Sequence, residues 1–180
     1  MVGLLSVLGS ACGASSSHSS GTSITTGAAT VATCPAASLA LRPGQPYVSE
    51  SVLTEVLTNS SSSSCRLSGD PSLTLLRQDG SELEVTNLPP TEPPKPPVAL
   101  PPGESATLFV SWSNWCETPP GILTISIALS ARAGTLKGPF NGPFNGSPGL
   151  PDNYVFTPKC LNSSSPSTLA VVHAYLAGSF

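Results

Sequence analysis

The chain of 180 residues predicts an all-β fold, an antiparallel β-sandwich held together by two disulfides. Apolar residues alternate with polar ones in short runs, which is the period of a strand with one buried face. Twenty prolines and 16 glycines imply many turns and few helices. Four cysteines are dispersed without Cys-x-x-Cys spacing (Cys34, Cys65, Cys116 and Cys160). Such a set is typical of a disulfide-bonded domain from an oxidising compartment.

The first strands follow one another from Cys34 onward. Alternation predicts strands in SLALR (38–42), YVSESVLTEVLTN (47–59), a run after Cys65 that contains LTLLRQDG (73–80), and SELEVTNL (81–88). Pro43-Gly44 and the serines of 60–64 read as turns, because hydroxyl side chains satisfy local backbone groups. Asp79-Gly80 is a strong hairpin signal.

Further strands follow a proline-rich stretch, residues 89–102. We interpret that stretch as a stiff connection between strands; the alternative is a polyproline II ligand for a partner. Strands are predicted in SATLFVSWS (105–113), GILTISIAL (121–129), NYVFTP (153–158) and STLAVVHAYLA (167–177), with a Gly/Pro-rich loop over 134–153. The total of about seven to nine short strands favours an immunoglobulin-like sandwich.

The N-terminus predicts export and anchoring. Residues 1–11 resemble a signal peptide, since the apolar run Val2–Leu8 is too short to span a bilayer. The sequence Leu-Gly-Ser-Ala-Cys looks like a bacterial lipobox, in which Cys12 would be lipidated after cleavage. The alternative is a plain secretion signal. Residues 12–33 are rich in Ser, Gly and Thr and are expected to form a disordered tether to a β-sandwich domain at 34–180.

The four dispersed cysteines allow three pairings. If the first two strands form an up-down pair, Cys34 and Cys65 lie at the same end of the sandwich. Cys116 and Cys160 then remain for each other. We prefer this pairing and leave the other two open.

Charge and composition argue against several functions. Seven Lys+Arg against ten Asp+Glu give a net charge of −3, so the chain lacks the basic footprint of a nucleic-acid partner. Two histidines and one methionine leave little from which to build a metal site, and no cofactor is expected.

Catalytic residues are not predicted. His173 lies in a strand between apolar neighbours, and no Gly-x-Ser-x-Gly elbow accompanies it. Glu82 and Glu84 share one face of a strand, whereas a glycosidase pair usually comes from separate elements. We therefore expect an ordinary strand histidine and two solvated carboxylates, and a protein that is not an enzyme.

Three aromatic residues are candidate contacts for a ligand or partner. Phe140 and Phe144 occur in the repeat GPFNGPFNG (138–146), which could be an exposed binding finger or a loop packed on the sheet. Trp115, beside Cys116, could cover a disulfide or stack on a sugar. Trp112 alternates with Leu108 and Val110 and is expected in the core. The three sequon asparagines are interpreted as turn residues (Asn59, Asn145 and Asn162).

Several motifs together resemble a known family. They are LTN (57–59) with CRLSGDP (65–71), LPPGESA (100–106), Ser-Trp-Ser-Asn (111–114), and Cys34 with Leu39 and Cys116 with Cys160. The chain from about 34 to 180 is similar to the four-cysteine domain of unknown function 4232, found in secreted proteins and lipoproteins of actinobacteria. The resemblance implies an extracytoplasmic sandwich and supplies no known active site.

The sequence thus leads to one preferred function and one alternative. The preferred function is a lipid-anchored or secreted envelope protein whose sandwich has a binding or structural role, with the membrane as a partner through the lipid on Cys12. The alternative is a carbohydrate-binding module that uses Trp115 and the 138–146 loop to hold an envelope glycan. An envelope protein or a glycan would be the ligand.

Overall fold

Ten strands and one short 3-10 turn make up the regular structure of the part of the chain that the computed structural model describes, residues 31–45, 51–90, 92–93, 95–130, 132–144 and 150–178. The turn is Ala36–Ser38. The strands are β1 Leu39–Pro43, β2 Val52–Asn59, β3 Cys65–Leu67, β4 Ser72–Leu76, β5 Thr86–Asn87, β6 Val98–Leu100, β7 Ser105–Ser113, β8 Thr124–Ser130, β9 Gly134–Pro139 and β10 Thr168–Ala177. The segment 1–11, Cys12 and most of the predicted tether lie outside these residues.

The strands form a five-stranded sheet in the order β1-β2-β7-β10-β5 and a three-stranded sheet in the order β4-β8-β9, with β3 and β6 as a separate pair. Neighbouring strands are antiparallel except β5 and β10, which are parallel. The predicted all-β, sandwich-like fold with two disulfides is therefore confirmed. The immunoglobulin-like connectivity stays a prediction.

Side chains from both larger sheets meet in one hydrophobic core. Strand β7 contributes Leu108, Val110 and Trp112, all fully buried, as its alternation predicted. Ile125 and Ile127 of β8 belong to the same cluster. On one side the two sheets also approach through β1 and β9. A Cβ added to Gly138 of β9 would lie 3.0 Å from Leu41 Cδ2.

The two disulfides lie at opposite ends of this sandwich. Thr58 at the end of β2 pairs with Ser105 at the start of β7, near the Cys34–Cys65 bond. Ser113 at the other end of β7 pairs with Thr168, close in sequence to the Cys116–Cys160 bond. A nine-residue strand is about 27 Å long. We call the end beside Cys34–Cys65 the tether end and the end beside Cys116–Cys160 the far end.

Both bonds have the pairing that the sequence analysis preferred. Cys34–Cys65 joins the entry of the fold to β3, and Cys116–Cys160 joins the chain after β7 to the loop before β10. The first bond is buried, whereas both cysteines of the second are exposed.

Several predicted segments differ from the structure. The first part of the expected loop 134–153 is strand β9, which pairs along β8 although its Gly and Pro residues are not typical of a strand. The expected strand 153–158 makes only an isolated bridge between Tyr154 and Phe144. Its backbone is instead bonded by Asn141, whose side chain donates to Phe156 O and whose carbonyl accepts Phe156 N–H.

The predicted strand after Cys65 is also divided. Gly69 has φ +74° and, with the following Asp-Pro, separates β3 from β4. The Asp79-Gly80 hairpin is present, since Arg77 N–H donates to Ser81 O and Leu76 pairs with Glu82. The segment after the hairpin, residues 81–88, was predicted as a strand. It leaves β4, and only its residues Thr86–Asn87 form a strand, β5, beside β10.

Candidate functional site

An open groove of about 600 Å³ lies at the far end of the sandwich. Three stretches of chain line it: Glu84–Thr86 before and within β5, Asn114–Glu117 after β7, and the serine-rich loop 163–167 before β10. Glu84 and Glu117 are exposed carboxylates, so the lining combines negative charge with hydroxyl groups. The groove is thus polar and acidic.

Asn114 determines the shape of one wall. It follows β7 in the left-handed region with φ +58°, a conformation that asparagine tolerates better than most residues. Its amide nitrogen donates to the carbonyls of Asn162, Ser165 and Pro166 at 2.7–3.2 Å. Its Oδ1 accepts the backbone N–H groups of Leu161 and Asn162 at 2.9 and 2.8 Å. The buried Asn114 side chain therefore makes the hydrogen bonds to the loop after Cys160 that a neighbouring strand would otherwise make.

This loop presents Leu161 to solvent. The side chain is 78% exposed, the largest value among the exposed large apolar residues in the described part of the chain. Its backbone is fixed on one side by the Cys116–Cys160 disulfide and on the other by Asn114. The loop is accordingly held in place: its Ser163 and Ser165 line the groove, whereas Leu161 lines a separate cavity together with Lys159.

Trp115 borders the groove but is itself 5% exposed. Its ring packs against Trp112 with centroids 5.8 Å apart, and its Nε1 donates to the carbonyl of Thr118 at 3.0 Å. A sugar therefore finds no open indole face at this position. The residue belongs to the core and contributes one edge to the groove.

Phe140 and Phe144 are packed, in agreement with the second of the two interpretations of their loop. Phe140 is fully buried with its ring centroid 6.0 Å from that of Trp112, and Phe144 is 5% exposed. Neither ring is available as a partner contact in this conformation. The exposed binding finger is therefore not what the structure contains at residues 138–144, and Asn145 lies outside the described residues.

Two further buried asparagines act like Asn114. Asn59 donates to the carbonyls of Ser63 and Leu100 and accepts the N–H of Ser61, which closes the serine loop. Asn141 donates to Gly121 O and accepts the Leu123 N–H at 2.7 Å. Asn59 was predicted as a turn residue. The role of Asn141 was missed, since Asn is equally common in exposed loops.

His173 is half-buried on the outward side of β10. Its Nδ1 is 3.1 Å from Glu92 Oε2, and its ring meets that of Phe109 edge-on with centroids 5.6 Å apart. Lys95 Nζ is 2.7 Å from the same carboxylate oxygen. The hydrogen bond from Lys95, and then that from His173, hold the pKa of Glu92 below its usual value. These contacts attach the proline-rich segment to the sheet.

Glu55 was not singled out from the sequence and is the most unusual polar residue of the structure. It lies in β2 between the core leucines Leu53 and Leu57 and is fully buried. Neither carboxylate oxygen has a hydrogen-bond partner among the described residues. The alternation Leu-x-Glu-x-Leu was the signal that could have found it.

Two further observations concern only the described residues. They contain no group of three or more His, Cys, Asp or Glu side chains placed to hold a metal ion. They also contain no helix of the length and apolar character needed to cross a membrane.

The fold and the two bonds define an all-β, disulfide-bonded sandwich domain. A family model, the domain of unknown function DUF4232, matches residues 34–123, which is half of the chain. The chain belongs to this family. The match includes Cys34, Cys65 and Cys116, whereas Cys160 and the strands β8 to β10 follow it in the sequence. Comparison with curated proteins and with solved structures gave no match.

Proposed function

We propose that the protein is an extracytoplasmic, lipid-anchored envelope protein whose sandwich binds a partner at its far end and performs no catalysis. The observation that carries this proposal is the placement of the two disulfides. The chain enters the fold beside Cys34–Cys65, and the acidic groove lies beside Cys116–Cys160 at the opposite end. A lipid on Cys12 would thus leave the groove at the end of the domain opposite to its attachment.

The far end has two properties of a binding surface. One wall of the groove is held in place before binding, because Asn114 and the disulfide fix the loop that carries Ser163 and Ser165. Preorganised loops lose less conformational entropy when a partner is bound. The exposed carboxylates of Glu84 and Glu117 make the groove itself negatively charged. A partner with cationic residues and hydrogen-bonding groups is complementary to this groove.

The anchoring is tested by metabolic labelling with a clickable fatty acid in the native host. We expect the wild-type protein to carry the label in the membrane fraction and the Cys12→Ala variant to be unlabelled. If neither protein is labelled and both appear in the medium, the protein is secreted without a lipid. The far-end binding site is then tested against soluble ligands instead.

The binding site is tested by placing a photo-crosslinking residue either at Ser163, in the groove, or at Glu104, an exposed position at the tether end. We expect a defined adduct from position 163 in intact cells and none from position 104. Adducts of the same mass and yield from both positions would contradict a far-end site. The absence of any adduct from position 163 would contradict the binding role.

A carbohydrate ligand is the second candidate, favoured by the hydroxyl and carboxylate lining of the groove. Since the Trp115 ring is covered, such a ligand would be held by hydrogen bonds rather than by stacking. Because Trp115 still contributes one edge to the groove, cell-wall fragments bound there should quench tryptophan fluorescence, and Glu117→Gln should weaken this effect. Glu82→Gln is the matched control, because Glu82 is exposed and does not line the groove. Equal quenching in both variants would argue against a glycan in this groove.

A further inference from the structure

Glu55 occupies a position where a charged group is least stable. It pairs with Pro43 of β1 on one side and with Leu108 of β7 on the other, so its side chain shares the inward face with Leu53 and Leu57. All three leucines are fully buried. An ionised carboxylate in such surroundings lacks both water and a counter-charge, which costs several kcal/mol.

The ionisable groups of the neighbouring strands supply no counter-charge among the described residues. Strands β4, β7 and β8 contain no ionisable side chain. Arg42 of β1, Lys137 of β9 and His173 of β10 are paired or placed on outward faces of their strands. Tyr175 remains as the one ionisable group that β10 directs into the core.

Tyr175 lies at the same level as Glu55 on the other side of Leu108. The β7–β10 register passes from Phe109–His173 to Thr107–Leu176, so Ala174 and Tyr175 both oppose Leu108. The phenol hydroxyl is buried without a hydrogen-bond partner among the described residues. Burial, and then the charge of Asp70, raise the pKa of Tyr175, so this group stays neutral and cannot offset a negative charge.

The neutral form of Glu55 is therefore the form compatible with the closed sandwich. Burial raises the pKa of the Glu55 carboxyl well above its ordinary value. In the unfolded chain the same group titrates in the ordinary range of glutamate. Between the two pKa values the folded state binds more protons than the unfolded state. The contribution of Glu55 to the free energy of unfolding is thus greatest below the unfolded pKa and is lost as the pH rises through the folded one.

The two neighbouring strands differ in how easily they can move away from Glu55. Strand β7 is central and pairs along most of its length with both β2 and β10. Strand β1 is five residues long, lies at the edge of its sheet and ends at Pro43, which has no N–H to donate. The hydrogen bond from Gly44 N–H to Thr54 O follows this position.

We infer that Glu55 is a proton-dependent lock on the β1 edge of the sandwich: the neutral carboxyl keeps β1 closed on β2, and its ionisation opens the Pro43 end of this pair to water. No residue of β1 or β2 lines the groove, which lies across β7 and β10 from this edge of the sheet. The contribution of Glu55 keeps the β1 edge closed below the unfolded pKa of this residue and is lost as the pH rises through the folded one.

Thermal unfolding of the full, disulfide-bonded chain between pH 4.5 and 8.5 tests this inference. For the wild type, Tm should fall by about 3–5 °C per pH unit in the window between the unfolded and folded pKa values, since one proton is released on unfolding. Glu55→Gln should lack this slope, whatever its absolute Tm. Glu84→Gln removes an exposed carboxylate and should retain it. Equal slopes in the wild type and Glu55→Gln would overturn the inference.

Two further measurements locate the effect. With rising pH, the Gly44 amide should exchange with solvent at least tenfold faster in the wild type than in Glu55→Gln, whereas the Leu88 amide at the opposite sheet edge should not differ. If Glu55→Gln does not fold, a pH titration of the Glu55 carboxyl ¹³C chemical shift in the wild type tests the inference instead. A midpoint in the ordinary glutamate range would overturn the inference, and a raised midpoint would support it.

Discussion

Asn114 Oδ1 accepts the backbone N–H of Asn162 at 2.8 Å, although 48 positions separate the two residues in the sequence. Together with four other bonds, this contact makes a single buried side chain the organiser of the loop at the far end. Because a buried backbone group without a partner costs about 1–3 kcal/mol, the loop depends strongly on this residue.

Replacing Asn114 should therefore cost stability and alter the far-end loop. We expect Asn114→Ala to lower the free energy of unfolding by about 2–4 kcal/mol, since both the bonds and the tolerance of φ +58° are lost. Asn114→Gly keeps the backbone conformation and separates the two effects. Denaturant unfolding measures both variants. A loss below about 0.5 kcal/mol in both would show that water replaces the side chain.

The two disulfides should differ in how readily they are reduced. Both residues of Cys116–Cys160 are exposed, whereas Cys34 and Cys65 are buried. Under limiting reductant we expect the far-end bond to open first, as measured by alkylation and peptide mass mapping. Full reduction should add four hydrogens to the intact mass. Loss of either bond should cost about 4 kcal/mol by the loop-entropy estimate. Earlier alkylation of Cys34 and Cys65 would contradict the order.

The close approach of β1 and β9 predicts that Gly138 tolerates no larger residue without adjustment. In Gly138→Ala the new Cβ would meet Leu41 Cγ and Cδ2 at 3.0–3.1 Å, so we expect a loss of about 1–2 kcal/mol. Leu41→Ala removes the obstacle. In a double-mutant cycle the combined loss should be smaller than the sum of the single losses. If the two single losses are strictly additive, the contact with Leu41 is not the cause of the destabilisation by Gly138→Ala.

Pro90 should be the residue that ends the pairing of β5 with β10. Thr86 N–H donates to Ser167 O and Leu88 N–H to Leu169 O, so residue 90 is next in register for Val171 O. Proline has no N–H, and the ladder stops there. In Pro90→Ala we expect the new amide to be protected from hydrogen exchange by at least tenfold relative to the new amide of Pro89→Ala. Equal exchange would show that the chain has already left the strand edge.

Strand β7 and the disulfide pairing were predictable because each depends on a local or a simple spatial rule. The nine alternating residues at 105–113 predict only a strand, and the burial of Trp112 follows from that alternation. Strand β9 was missed because Gly134, Gly138 and Pro139 conceal a segment that pairing with β8 makes extended. Tertiary contacts decide such segments, and propensity does not reveal them.

The far-end groove could be predicted only in part. Trp115 and the second disulfide were recognised as neighbours, and the groove lies beside them. The burial of Phe140 against Trp112 and the loop bonds of Asn114 depend on residues far away in the sequence and have no sequence signature.

Glu55 is different, since its position between two core leucines could be predicted from alternation alone.

The placement of the two covalent bonds also bears on how the protein survives attack by proteases. A cut anywhere between Cys34 and Cys65, including the serine loop at 60–64, leaves both pieces joined by the disulfide. The same holds for the loops between Cys116 and Cys160. A molecule nicked once in either span would migrate as one species without reductant and as two with it. Surface damage in these two spans thus leaves the domain attached to its own N-terminal segment.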